Sequence, residues 1–255
     1  MRSTPPLLDA SQVLSARHIL SMWLLALAAG SVNAGAFAAC ARFVTHVTGT
    51  ATQIGTDFGQ WFLMFEYLLV LVAFIVGAMA SVLAIQARGM RGKRPLYAVP
   101  LFGAAALLCV AGVLGASGVF GPLGGAVEEP ADFAFLSLLA FAMGLMNAGV
   151  ASSTGLSVRT THMTGPASDF GVSLATAWLG SGEARRAALG VALLRGGKVL
   201  SFVVGGALML PLLSGLGWVA FVVPAALIAT AAQRSFMEAP APRHARARSV
   251  LNAAR

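Results

Sequence analysis

Six long apolar runs, at residues 18–40, 61–87, 96–118, 133–154, 187–213 and 215–233, constrain this chain more than anything else in it. A helix needs ~20 apolar residues to cross the hydrocarbon core of a bilayer, and each run is near that length. The first is interrupted by Gly30, Asn33 and Gly35, and the last is the shortest. Strands of an outer-membrane barrel would alternate in polarity over ~10 residues between turns, and these runs do not. Charged residues are 10% of the chain and mean hydropathy is +0.82, whereas a soluble domain carries about 25% charged residues. The expected fold class is therefore an all-α polytopic membrane protein with six transmembrane helices.

Two other readings of the apolar runs are weaker. "FAAC" at Phe37–Cys40 has some likeness to a lipoprotein cleavage site, with Arg17 and His18 as a basic flank. A Phe stands where an aliphatic residue is expected, and the segment recurs later in the chain, so an uncleaved span is expected. Cys40 and Cys109 are the only cysteines and both lie in apolar runs. They read as small packing residues and supply neither a disulfide framework nor a thiolate metal site.

The formal charge of +8 follows topology, not nucleic acid. Arg2 and Arg17 precede the first run, Arg88, Arg91, Lys93 and Arg94 follow the second, and Arg185 and Arg186 precede the fifth. Arg234, Arg243, Arg246, Arg248 and Arg255 follow the last, while 119–132 holds Glu128, Glu129 and Asp132 and no base. Lys and Arg mark cytoplasmic loops. Six crossings then give a cytoplasmic tail at 1–17, an external loop at 119–132 and a basic cytoplasmic tail at 234–255. The implied location is the bacterial inner membrane, with the lipid bilayer as the first partner.

The chain also repeats itself. "LLALAAGSVNAG" at 24–35 matches "LLAFAMGLMNAG" at 138–149, pairing Asn33 with Asn147, and "FIVGA" at 74–78 matches "FVVGG" at 202–206. Between these, Thr-His-x-Thr-Gly occurs twice, as Thr45–Gly49 and as Thr161–Gly165. Each half thus reads span, polar segment, span, span: repeat 1 over 18–118 and repeat 2 over 133–233. Three crossings per half is an odd number, so the halves are expected to be inverted, with a shared site near the midplane. The polar segments, 41–60 and 155–180, are too polar to cross. Each is expected to dip to the midplane as extended chain and return as a half-helix, 50–59 and 166–179. Irregular backbone at that depth must be buried in protein or line a wet cavity. Thr48 and Thr164 are expected to cap the half-helices, Gly49 and Gly165 to allow a turn or close ligand approach, and His46 and His162 to be buried beside them. Two facing helix N-termini offer partial positive charge to a solute.

Topology leaves some charges over. Arg195 and Lys198 lie about 12–17 Å into the fifth run, where ionisable side chains usually face a bundle interior unless they snorkel to the surface. Asp57 and Asp169 fall in the half-helices, Glu66 lies near the outer end of the second span, where it reads as plain interface, and Arg42 and Arg159 flank the polar segments.

The paired stretches "AAGSVNA…FVTHVTGT" and "AMGLMNAG…VRTTHMTG" resemble the DUF1275, or YoaK-like, family of bacterial inner-membrane proteins, over roughly 20–235. Asn33 stands where the family often has Asp, and Thr50 where it often has Asn. The resemblance implies six spans and names no substrate.

The expected function is a small secondary transporter or channel for a polar solute, with an anion favoured by the excess of basic residues. Its site would draw on Thr45, His46, Thr48, Gly49, Thr161, His162, Thr164, Gly165, Asn33, Asn147, Arg195, Lys198 and Asp169. A non-transporting scaffold or sensor would leave the duplicated polar segment unexplained. An intramembrane enzyme is disfavoured: "GASG" at Gly115–Gly118 mimics a rhomboid motif, but His18, His46, His162 and His244 all lie off the last two runs. No His-Glu-x-x-His pair exists for a metal, and no catalytic residue, metal, cofactor or nucleic acid is expected. A second copy of the chain is a further candidate partner, because small residues such as Ala29, Asn33 and Gly35 suit close helix packing.

Overall fold

A computed structural model describes residues 6–124 and 130–237. Arg2, Glu128, Glu129 and the bases beyond residue 237 lie outside the described residues. Those described form nine α-helices: α1 (Ala10–Val13), α2 (Ala16–Cys40), α3 (Val47–Thr56), α4 (Trp61–Met90), α5 (Ala98–Ala116), α6 (Pro130–Ser153), α7 (Thr164–Leu179), α8 (Gly182–Leu216) and α9 (Val222–Ser235). No strand occurs among the described residues. Five stretches are long and apolar enough to cross a membrane: α2, α4, α5, α6, and a 54-residue stretch from Gly182 to Ser235. The fold is all-helical and of membrane-protein type. Only 22% of the apolar window of α4 is buried, against 78% for α6. The apolar surface of α4 therefore faces outward, which suits lipid, while α6 is central.

The 54-residue stretch is two helices, not one. Gly217 adopts φ +56° at the end of α8, a 3-10 turn follows over Gly217–Phe221, and α9 begins at Val222. Side-chain contacts fix the directions. On α2, Trp23 Nε1 donates to Leu194 O (3.3 Å) and Ser31 Oγ donates to Gly205 O (3.0 Å), so α2 and α8 run parallel. Ser21 Oγ meets Ser235 Oγ at 2.8 Å while Gly35 lies against Phe221, so α9 runs antiparallel to α2. The chain thus reverses at Gly217.

In the same way α4 runs parallel to α6. Phe62 packs on Phe133 (ring centroids 5.7 Å), and farther along both helices Gly149 abuts Ser81. Cys40 at the end of α2 approaches Asp132 at the start of α6 (3.9 Å), and Leu8 N donates to Ser153 O at the far end (2.9 Å). Hence α2 and α6 are antiparallel. The second of these bonds belongs to residues 6–15, part of the 1–17 segment that the sequence assigns to an N-terminal tail. Leu7, Leu8 and Val13 are instead buried against the bundle.

Two helix pairs touch backbone to backbone. A Cβ on Gly30 would lie 2.0 Å from Phe202 O, and one on Gly205 2.0 Å from Leu27 O. Across α4 and α6, a Cβ on Gly77 would meet Phe141 O at 2.2 Å and one on Gly144 would meet Phe74 O at 2.1 Å. Gly30 and Gly144 occupy the same place in the two repeats, as do Gly77 and Gly205. Hydrocarbon tails give no hydrophobic drive between helices in lipid, so such close approach of small residues is what holds them.

Gly30→Ala or Gly144→Ala must push the helices apart and should lower unfolding stability in detergent by about 1–3 kcal/mol, the usual effect of overpacking. Gly190, inside α8, has nothing within 4 Å of a built Cβ. Gly190→Ala should therefore be neutral or stabilising by up to about 1 kcal/mol. Thermal unfolding of the purified variants distinguishes the two classes.

Candidate functional site: a cavity between two half-helices

The two Thr-His segments meet at one cavity of about 620 Å³. Its fourteen lining residues form seven pairs across the repeat: Asn33 and Asn147, Phe43 and Arg159, Thr45 and Thr161, His46 and His162, Val47 and Met163, Thr48 and Thr164, Phe74 and Phe202. Each half enters the cavity the same way. The chain leaves the first helix through a left-handed non-glycine residue, Ala41 (φ +51°) or Leu156 (φ +67°), and then runs without helix to the start of α3 or α7.

The asparagines hold these segments. Asn33 Oδ1 accepts from Thr45 N (3.1 Å) and Thr45 Oγ1 (2.9 Å), and Asn147 Oδ1 accepts from Thr161 N (3.4 Å). Backbone N–H groups that would otherwise be orphaned are thereby satisfied. The second half has a further anchor. Lys198 is 0% exposed, and its Nζ donates to Arg159 O and to His162 O (2.9 Å for the latter). Its counterpart in the first half is Val70. Lys198 therefore faces the bundle and does not snorkel.

The helices α3 and α7 start earlier than sequence suggests, and a different residue shapes them. α3 begins at Val47 with His46 at the cap position, and α7 at Thr164 with Met163 there, so Thr48 and Thr164 sit within the first turns and neither caps. His162 takes the role expected of the threonine, whereas His46 makes no such bond. Gly165 N donates to His162 Nε2 at 3.3 Å, so this imidazole folds back over the first turn of α7. An imidazole that accepts at Nε2 keeps its proton on Nδ1. His46 folds back likewise: a Cβ on Gly49 would lie 2.0 Å from its Cδ2, and one on Gly165 3.2 Å from that of His162. Histidine followed three residues later by glycine is thus one local device, used twice. The glycines leave room for the ring, not for a turn. Both imidazoles were expected to be buried; both are exposed and face the cavity, because the ring lies on the open side of the first turn.

Arg195, Asp169, Lys198 and Gly165 do not line the central cavity. They line an adjoining cavity of about 380 Å³ that shares His162 and Arg159 with it. There Arg195 Nε lies 3.4 Å from Asp169 Oδ2, and Arg195 Nη2 donates to Ser157 O (3.1 Å). On the other side a cavity of about 160 Å³ shares His46 and Phe43 with the centre. It holds Glu66, only 4% exposed, with Arg42 at 4.0 Å and the Arg42 guanidinium 5.3 Å from the ring centre of Tyr67. The sequence places Glu66 at an interface and does not point to Phe43, Val47, Phe74, Arg159, Met163 or Phe202 as site residues. Aligning the two polar segments without a gap puts Phe43 opposite Arg159, which was the available signal. Among the described residues no group of three His, Cys, Asp or Glu side chains could hold a metal ion.

Lys198→Met keeps the bulk but leaves the carbonyls of Arg159 and His162 without this charged donor, and should destabilise the protein by roughly 2–3 kcal/mol. Arg195→Gln breaks a pair whose carboxylate is half exposed and should cost about 1 kcal/mol or less. Parallel melting curves in detergent check the difference.

No curated protein and no solved structure matches the chain. One family model does match, over residues 21–233, and its description is "Protein of unknown function (DUF1275)". With most of the chain covered by that model, the protein belongs to the DUF1275 family.

Proposed function

We propose that this protein is a small secondary transporter or channel of the bacterial inner membrane, passing a polar and preferably anionic solute through the cavity between its two Thr-His segments. One observation carries this reading: every residue lining that cavity has its repeat counterpart in the same cavity. Two copies of a polar motif would not need to share one cavity in a scaffold.

The reading takes the halves as inverted three-span repeats, α2–α5 and α6–α9, with α3 and α7 as re-entrant half-helices. The antiparallel run of α2 and α6 supports the inversion, and the reversal at Gly217 supports six crossings. Depth is supported by α7, which lies along the first half of α8: Gly196 abuts Phe170, and Gly180 lies beside Arg185. The α7 N-terminus then meets Lys198, about 24 Å along a helix of about 52 Å. At the outer ends of the half-helices Phe58, Trp61 and Trp178 are exposed, as aromatic side chains at a membrane interface are. With these directions Arg17, Arg88, Arg91, Lys93, Arg94, Arg185 and Arg186 fall at one end of the bundle, which reads as cytoplasmic. The cavity carries Arg159 and no carboxylate, which favours an anion.

Two measurements test this. A topology reporter inserted after Gly92 should report the cytoplasm and one after Gly124 the outside; agreement between them removes the inverted repeat. Second, in a background with Cys40→Ala and Cys109→Ala, Thr48→Cys and Thr164→Cys should react with a charged, membrane-impermeant thiol reagent. Thiolate chemistry needs water, so they should react at least about tenfold faster than Leu83→Cys and Val203→Cys on the outward faces of α4 and α8. Equal rates at all four positions would mean that the cavity is not an aqueous path.

A further inference from the structure

The cavity breaks its own symmetry at one place. Six of its seven pairs are chemically alike: Asn with Asn, Thr with Thr twice, His with His, Phe with Phe, and Val with Met. The seventh sets Phe43 against Arg159, at matched positions of the ungapped stretches "FVTHVTGT" and "RTTHMTGP".

Each member of that pair is built into its wall. Phe43 stacks on Phe37 (centroids 4.7 Å, planes 12° apart) and meets His46 edge-on (6.3 Å, 84°), which makes an aromatic surface of three rings. Arg159 has its backbone fixed by Lys198 through the carbonyl oxygen, while its side chain lines the cavity. Among the described residues no carboxylate forms an ion pair with Arg159. Arg159 also lines the adjoining cavity that holds Asp169, but that carboxylate pairs with Arg195; a guanidinium left without an ion pair is a site for an oxyanion, which it binds through two parallel N–H donors. Opposite it, the negative face of an aromatic ring repels an anion and favours an apolar body. Between the two ends lie hydroxyl, amide and imidazole groups that can hold a polar atom by hydrogen bonds. A multiply charged inorganic oxyanion would gain from cationic groups on both sides, and this cavity offers one. An organic cation would find no carboxylate at all.

We infer that the cavity takes a small organic monoanion, its carboxylate on Arg159 and its apolar body against Phe43. The inference rests on the transport reading for the movement of that solute, but binding alone tests it.

The experiment uses the full chain in proteoliposomes on a solid-supported membrane, with protein-free liposomes as the baseline and benzoate, inorganic phosphate and benzylammonium as probes. Benzoate should give a saturable, protein-dependent current, with phosphate and benzylammonium near baseline. Arg159→Gln should weaken the apparent benzoate affinity at least tenfold, and Arg159→Lys should restore part of it. Because the backbone and not the side chain of Arg159 anchors the loop, both variants should elute as the wild type does in size exclusion. Phe43→Arg, which makes the seventh pair symmetric, should shift preference from benzoate toward phosphate. A wild type that prefers phosphate or benzylammonium, or an unchanged benzoate response in Arg159→Gln, overturns the inference. Silence to all three probes also overturns it, and leaves transport standing if Thr48→Cys and Thr164→Cys still react from water.

Discussion

Backbone-to-backbone contact at Gly30, Gly205, Gly77 and Gly144 is the constraint on which the rest of this structure depends. At each of these glycines a carbonyl of the facing helix occupies the space that a β-carbon would need. The two contacts join α2 to α8 and α4 to α6, that is, the first helix of each repeat to the middle long helix of the other. Neither repeat can then close on itself. With their long helices committed to the opposite half, the polar segments of the two repeats have one common space to enter. Phe74 and Phe202, whose carbonyl oxygens face Gly144 and Gly30, put their own side chains into that space. Helix packing and cavity lining are therefore set by the same turns of helix.

Polarity inside this bundle is arranged by a simple rule: irregular backbone that borders the cavity is tied down by side chains. Asn33, Asn147 and Lys198 satisfy backbone groups of the non-helical segments, and the two histidines lie over the first turns of the half-helices. The polar groups that remain open to the cavity are side-chain hydroxyl, amide, imidazole and one guanidinium, set among the rings of Phe43, Phe74 and Phe202. Such a surface can exchange water for a ligand without unfolding its own support.

The sequence revealed the helices, the duplication and the polar segments, because apolar length and repeated words are one-dimensional signals. Family membership was legible on the same paired words. Other features required distances that a sequence does not carry. Thr48 looked like a cap because hydroxyls usually cap helices, but the ring of His46 reaches the first turn, and the adjacent glycine leaves it room. Lys198 and Arg195 lie within one turn of each other on α8, so spacing alone could not assign one to buried carbonyls and the other to Asp169. Burial of Glu66 depends on Arg42, which reaches it from a different element. The packing of Leu7, Leu8 and Val13 was hidden for a different reason: three apolar residues in a polar stretch are too few to read as an element.

The two halves secure the same loop by unlike means, and this bears on how the molecule would move. In the first half the backbone of Thr45 is held by Asn33 alone, while Arg42 of the same loop reaches Glu66 on α4 only at 4.0 Å. In the second, Asn147 is joined by Lys198 reaching across from α8 to two carbonyls at once. A hinge tied to one helix can follow that helix, whereas a hinge tied to two resists any motion that separates them. The near-symmetric architecture is thus mechanically lopsided. The His162 segment is the more firmly bonded of the two, so the two walls of the cavity would not yield equally to a force that parts the helices.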